Sequence, residues 1–295
     1  MVMAIRKRKN SSRHTLPRTR VKLLAVLIRR SLLASAGAVL AQPFVIGTAI
    51  AGPDGGAVSS GQGSISTPSA TSTVVTQQSN NLVVNWQSFN VSSNESVQFI
   101  QPSSSAAALN RIMNGNPSAI HGSIVSNGQV FLINPHGIVF GKTARVDVGS
   151  LFASSLDISN QDFMSRNYSF QAVAGQTPGL ILNQGSIEAA IGGSVSLVGG
   201  SVSNEGTIVA NVGHVNLGAG TSAVVDFAGD GLIHFAVSGE VADNVNNAEA
   251  AVANSGTIDV SGGQVTLSAR TARDVFNSVV NNSGTIRAGR IDRVG

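Results

Sequence analysis

The sequence predicts an all-β chain wound as a parallel β-helix. Three observations carry that reading: a repeated Asn-x-Gly-[Ser/Thr]-Ile unit, a Val-x-Leu strand after three of its copies, and a composition rich in Gly, Val, Ile, Ser, Thr and Asn. Such a composition suits short strands and tight turns. The unit occupies residues 183–187, 204–208, 254–258 and 282–286, and the Val-x-Leu strands lie within 193–197, 213–217 and 263–267. The first two copies start 21 residues apart and the last two 28. A period of that length, with no leucine-rich consensus, fits one β-helix rung better than a helical repeat. Equivalent residues of successive rungs stack at roughly 4.8 Å, so Ile187, Ile208, Ile258 and Ile286 are expected as one inward ladder and Val195, Val215 and Val265 as another. Asn183, Asn204, Asn254 and Asn282 are expected at rung corners as left-handed-tolerant residues, beside Gly185, Gly206, Gly256 and Gly284. A β-sandwich also alternates strands and glycine turns, but only stacked rungs must present the same residue type at the same corner.

The elements follow in chain order. Residues 1–51 hold ten of the nineteen Lys and Arg and no Asp or Glu. A basic stretch ahead of the apolar run 31–50 has the layout of an unusually long signal peptide. Ala49 and Ala51 form an A-x-A cleavage site, with Val39 and Ala41 as an earlier alternative. Pro43 interrupts the run, Arg29 and Arg30 bound it, and a span needs about 20 apolar residues, so no integral membrane segment is expected after processing. Residues 52–73, rich in Gly, Ser and Thr with Pro53 and Pro68, read as an extended lead-in, and 74–295 as the folded domain. Only 103–113, with Ala106, Ala107 and Ala108 in a row, hints at a helix. Residues 127–141, NGQVFLINPHGIVFG, read as strands 129–133 and 138–140 joined by Asn134, Pro135, His136 and Gly137. Asn first, Pro second and Gly fourth match a type I turn. The 50-residue step between the second and third repeats holds a rung and an insertion, 221–250. Within it, 224–227 and 232–235 flank Asp230 and Gly231 as a β-hairpin.

The formal charge of +4 suggests nucleic acid until the charges are placed. Beyond residue 51, nine basic residues face fifteen acidic ones, a net charge of −6, so no basic groove for phosphates is expected. The absence of Cys excludes disulfides and thiol chemistry and removes the commonest zinc ligand sets. His14, His121, His136, His214 and His234 are scattered, with no Asp or Glu at ligand spacing, so no metal or cofactor is expected. His121 and His136 read as turn residues. There is no nucleophile elbow, P-loop or dinucleotide fingerprint. Polysaccharide lyases and hydrolases do use β-helices, but they set Asp, Lys or Arg on neighbouring rungs of one face. Here the acids are spread thinly and no Lys or Arg lies between Arg166 and Arg270, which argues against an enzyme.

VVNWQSFNV at 83–91, SVQFIQ at 96–101, LNRI at 109–112, NGQVFLINPHGIVFG at 127–141, FASSLDIS at 152–159 and RNYSF at 166–170 follow one another in that order. With the Asn-x-Gly-x-Ile rungs, they make the chain resemble the N-terminal two-partner secretion domain of the filamentous haemagglutinin and high-molecular-weight adhesin family, the adhesin branch above all. The family's usual NPNGI reads NPHGI here, with His136 in place of the second Asn. The resemblance implies a right-handed parallel β-helix with an N-terminal β cap, the inserted hairpin lying outside the coil. It implies a partner outer-membrane transporter whose POTRA domains recognise the domain in the periplasm. The turn formed by Asn134, Pro135, His136, Gly137 and Ile138 would then be needed for secretion. It further implies a secreted or surface product with a role in adhesion through a host glycan or protein, and a domain that is truncated or part of a longer adhesin. The residues also leave open a stand-alone β-helix that binds glycans or acts on polysaccharides.

Overall fold

A computed structural model describes residues 52–225, 235–244 and 247–289. The leader, with Ala49 and Ala51, and the hairpin tip at Asp230 and Gly231 lie outside the described residues. Three sheets, of eight, six and nine strands, run side by side around a common core. The coil is plainest at 129–154. Gln129–Ile133 lies in the eight-stranded sheet, Ile138–Phe140 in the six-stranded, Arg145–Val148 in the nine-stranded, and Ser150–Ser154 returns to the first. Each pairs in parallel with the strand one rung away, which makes the fold a parallel β-helix.

The repeat columns stack as the sequence predicts. Ile187, Ile208, Ile258 and Ile286 are in register, as are Val195, Val215 and Val265. Ile187, Ile208, Ile258, Val195 and Val215 are fully buried, each worth roughly 1.5–3 kcal/mol of hydrophobic stabilisation. The corner asparagines stack too, but not as left-handed residues. Each ends a strand of the six-stranded sheet, and Asn183, Asn204 and Asn254 turn their side chains inward. The adjoining glycines are required by space. A Cβ on Gly206, Gly256 or Gly284 would stand 2.1–2.2 Å from the carbonyl oxygen of the glycine one rung before.

Two expectations are corrected. Residues 52–73 are no lead-in: Ala57–Ser60 pairs antiparallel with Asn81–Trp86, and Gly63–Ser69 pairs antiparallel with Ser72–Gln77. Together they form the N-terminal β cap and cover strand edges that would otherwise stand open. The alanine-rich 103–113 is not helical, because Ala107–Ile112 is a strand of the eight-stranded sheet. Its small side chains fit a place where Ala107 and Ala108 are packed on both faces with no exposure.

Both faces are packed there because a second layer covers that sheet. Val83, Leu109, Phe131 and Phe152 form an outward yet buried column. Over it lie a short helix, Asn160–Met164, and a three-stranded sheet of Ser169–Gln171, Ser222–Val225 and Phe235–Ser238. The helix is capped by Ser159, whose Oγ accepts from the Asp162 N–H at 3.0 Å. The Ser159 hydroxyl, and then Asn167, hold the Asp162 carboxyl below the usual carboxylate range. Phe163 meets Phe131 edge-on at 5.2 Å, and Phe170 stacks on Phe152 at 4.1 Å. The expected hairpin is present as the antiparallel pair Ser222–Val225 and Phe235–Ser238, with Ser169–Gln171 as an unforeseen third strand. Gly218 and Gly220 lie beneath Phe235 and Val237.

One corner is strained. Gly192 and Gly262 take φ of +79° and +85° at the turn before the Val-x-Leu strands, and Val212 takes φ +57° at the same place in its rung. A left-handed conformation costs a side-chain-bearing residue about 1–2 kcal/mol. Val212→Gly is therefore expected to raise the unfolding free energy by about 1 kcal/mol despite glycine's greater unfolded entropy. Gly206→Ala is expected to lower it by about 1–3 kcal/mol through overpacking. Urea midpoints of the two variants check both signs, and a lower midpoint for Val212→Gly would refute the strain.

Candidate functional site

The NPHGI turn joins the eight-stranded sheet to the six-stranded one, between the rungs at residues 114–118 and 179–180. Asn134 follows the strand Gln129–Ile133 and is completely buried. Its backbone N–H donates to the Ser154 carbonyl at 2.9 Å. Its Oδ1 accepts from the His136 N–H at 3.0 Å, an Asx turn. Its Nδ2 donates to the Asn116 carbonyl at 2.9 Å and the Ser118 Oγ at 3.0 Å. Its own carbonyl accepts from the Gly137 N–H at 2.9 Å, which closes the four-residue turn. One residue thus ties the turn to the rung before it through Asn116 and Ser118 and to the rung after it through Ser154.

The other members fix it to the rung after. The Pro135 carbonyl accepts from the Gly179 N–H at 3.0 Å. Gly137 takes φ +109°, and a Cβ there would stand 2.6 Å from the Leu180 oxygen. Ile138 points into the core and is fully buried. His136 is half-buried, and its Nδ1 is enclosed without a hydrogen-bond partner among the described residues. Of the two polar side chains in the turn, that of Asn134 is bonded at both its oxygen and its nitrogen, whereas the Nδ1 of His136 is not.

The second group of sequence-predicted residues lies at another corner, between the six- and nine-stranded sheets. There Asn183 Nδ2 donates to Asn204 Oδ1 at 2.8 Å, Asn204 Nδ2 to Asn254 Oδ1 at 2.7 Å, and Asn254 Nδ2 to Asn282 Oδ1 at 2.7 Å. The start of the ladder is held by the Gly185 N–H, which donates to Asn183 Oδ1 at 3.1 Å. The turn and the ladder are thus separate devices on different edges of the helix.

Sequence reasoning missed Arg111 and the aromatic layer. Arg111 Nε donates to Asp157 Oδ1 at 2.8 Å, and its Nη1 to Asn160 Oδ1 at 2.7 Å and Asn85 Oδ1 at 3.3 Å; Nη2 reaches the Ile158 carbonyl. It ties the sheet to the loop and helix outside it. The available signal was an Arg beside Asn110 in a strand whose other residues are all apolar. Phe131 at the centre of the aromatic layer has the same kind of signal, a run with no polar alternation.

Among the described residues no catalytic constellation emerges. Asp147 and Glu188 are register neighbours on the exposed face of the nine-stranded sheet, but the next positions in that column are Val209 and Asp259. Asp259 is tied to Ser261 and Arg287. The Ser261 hydroxyl and N–H, and secondarily Arg287, hold its carboxyl below the usual range. His121 is exposed at a rung corner, and burial pushes the His214 imidazole below its ordinary value. Among the described residues no three metal-ligating side chains converge, and no helix is long and apolar enough to cross a membrane.

A sequence model of the family described as TPS secretion domain matches residues 49–294. The chain is 35% identical over 106 residues to the heme/hemopexin-binding protein of Haemophilus influenzae strain Rd, covering 36% of this chain and 12% of that protein. A second heme/hemopexin-binding protein from Haemophilus influenzae is 34% identical over 96 residues, covering 32% and 10%. The crystal structure of the HMW1 secretion domain from Haemophilus influenzae shares 31% identity with a TM-score of 0.70, covering 82% of this chain and 60% of that one. The chain therefore spans a small part of the curated relatives and less than two thirds of the solved domain.

The bonding of Asn134 sets an expected outcome. Asn134→Ala leaves the His136 N–H and the buried Ser118 hydroxyl without their partner, at about 1–3 kcal/mol for each buried polar group left unpaired. His136→Asn removes no hydrogen bond of the turn and should leave stability within about 0.5 kcal/mol. Thermal unfolding of both proteins checks this, and equal melting temperatures for Asn134→Ala and the parent would contradict the buried bonding.

Proposed function

Since the chain belongs to the TPS secretion domain family, we propose that it is the part of an exported adhesin-type protein that a partner outer-membrane transporter recognises for two-partner secretion. The family match over nearly the whole processed chain carries this reading. In it, the leader 1–51 is removed after Ala51, the POTRA domains of the transporter bind the chain in the periplasm, and the β-helix forms outside the cell. This chain is similar both to relatives named for haem and hemopexin binding, over about a third of its length, and to the HMW1 secretion domain, over most of it. The shared part is accordingly assigned to delivery, and adhesion through a host glycan or protein to the protein as a whole. The domain is assigned no catalysis and no cofactor.

The physics favours the same route. A chain without Cys crosses a narrow pore without reduction, and a fold made of contacts between adjacent rungs forms progressively as the chain emerges. Within this reading the Asn134, Pro135, His136, Gly137 and Ile138 segment acts as the secretion turn. Its residues must meet the transporter before the buried bonding of Asn134 is complete, because in the folded state that side chain is inaccessible.

Expression in a Gram-negative host with and without the cognate transporter tests the proposal. The expected result is a processed chain beginning near Gly52 in the medium only when the transporter is present. Asn134→Ala should lower release at least five-fold at an unchanged cellular level. Release independent of the transporter would return the chain to the stand-alone β-helix reading, in which it binds or acts on polysaccharides.

A further inference from the structure

The corner that carries the glycine ladder also carries a furrow. Successive corners between the six- and nine-stranded sheets are two residues long, as at His121 and Gly122 or Gln184 and Gly185. The one after Ile138–Phe140 is four residues long, from Gly141 to Ala144. Its extra residues wall a groove of about 590 Å³ whose polar lining includes Lys142, Thr143, Arg145, Gln184, Ser186 and Thr207. The floor is bare backbone, because Gly185 and Gly206 cannot carry a Cβ. The groove thus follows from the same close approach that fixes the rungs.

Two further properties define what fits it. Arg145, Ser186, Thr207, Thr257 and Thr285 are in register on the outer face, so hydroxyls follow the guanidinium at rung spacing, roughly 4.8 Å. A pyranose in an extended chain advances by a similar distance. Among the described residues Arg111 and Arg287 are ion-paired with Asp157 and Asp259, whereas Lys142 and Arg145 are in no ion pair. The acids nearby bound the site. Asp147 and Glu188 stand on the next outward column, and the Glu205 carboxylate accepts from Gln184 Nε2 at 2.9 Å. A ligand with charge along its whole length is repelled there. One with a single anionic end and a neutral, hydroxyl-rich body is matched in both charge and spacing.

We propose that this furrow is a saccharide subsite. A carboxylate on the ligand's leading sugar sits between Lys142 and Arg145, and neutral sugars run along the Ser186, Thr207 and Thr257 hydroxyls. The proposal gives ligand chemistry to the adhesion part of the functional reading and is independent of export. Failed release would leave binding by the purified chain testable, and failed binding would leave release unaffected.

The test is titration of the purified, processed chain by calorimetry and ligand-observed NMR. The probes are 4-O-methylglucuronyl-xylotriose, with one carboxylate on three neutral sugars, and neutral xylotetraose. The acidic probe should bind at least ten-fold tighter, and raised salt should narrow the gap. Lys142→Gln combined with Arg145→Gln should abolish the preference. Thr207→Val should weaken both probes about three-fold, and Arg270→Gln should change neither. Circular dichroism and the urea midpoint confirm that each variant is folded, which the exposed positions 142, 145 and 270 and the half-buried Thr207 permit. Equal affinity for the two probes, a preference that survives the double substitution, or no saturation by 10 mM acidic probe would overturn the proposal.

Discussion

At two edges of the helix, backbone passes so close to backbone that a methyl group has no room, and much of the structure is arranged around that approach. A Cβ on Gly193, Gly213 or Gly263 would lie 1.8–2.1 Å from a carbonyl oxygen of the preceding rung, as tight as at Gly206, Gly256 and Gly284. These glycines serve by lacking bulk, since their φ values are not left-handed. Close approach pins the register, and register decides everything attached to a strand. With a side-chain period of two, a slip of one residue would turn the Ile187, Ile208 and Ile258 column to solvent.

The asparagine ladder depends on that register and strengthens it. A buried amide is costly unless its oxygen and nitrogen both find partners. Each interior Asn accepts from one neighbour and donates to the next, so losing one member strands groups on two others. The same column is apolar earlier in the chain, where Ile120 and Phe140 occupy the positions that Asn183 and Asn204 continue. The change divides the helix into unlike halves. The first half fills its interior with Trp86, Phe89, Phe99 and Phe140 and departs from the repeat at the NPHGI turn, the four-residue corner and the aromatic layer. The second half repeats small units. Features able to discriminate between ligands or partners are thus concentrated where the repeat is broken.

This division also explains what was legible beforehand. Ile187 and Ile208 have the same neighbours because they sit at the same point of successive rungs, so their identity in sequence reported their environment directly. The turn at Asn134 was legible for a different reason, since Asn, Pro and Gly each meet a local backbone demand. Residues 57–69 were not, because a cap pairs with the first rung only and therefore has no repeat. Its exposed Ser and Thr side chains look like those of a linker. Ala107 and Ala108 suggested a helix because alanine's preference is local, whereas Ala107 lies under a layer that comes from residues 163–170, far along the chain, and Ala108 faces the core of the coil. The bonding of Asn183 was hidden likewise. Its partner is 21 residues away, and the left-handed tolerance of asparagine supplied a local explanation that the fold does not use.

The two ends of the described helix are unlike in a way that bears on how it forms. At the N-terminal end, the antiparallel strands Ala57–Ser60 and Gly63–Ser69 finish the first rung, and Leu82 and Val84 beneath them are fully buried. At the last described rung, Val265, Leu267 and Ile286 are only half-buried and Asn282 is exposed. In a fold where each rung contacts mainly its neighbours, stability sums from nearest-neighbour terms, and the antiparallel cap supplies that term for the first rung. The asparagine ladder gives this asymmetry a direction, since every amide donates toward the C-terminal neighbour and the final one offers its donor to whatever stacks next. If, as proposed, the chain leaves a pore N-terminus first, it forms its closed end first and then adds rungs, each meeting a surface whose register is already set. Rung-on-rung packing of the coil can therefore follow the order of emergence, while the outer layer, which joins residues 163–170 to the strands Ser222–Val225 and Phe235–Ser238 over the early rungs, closes last.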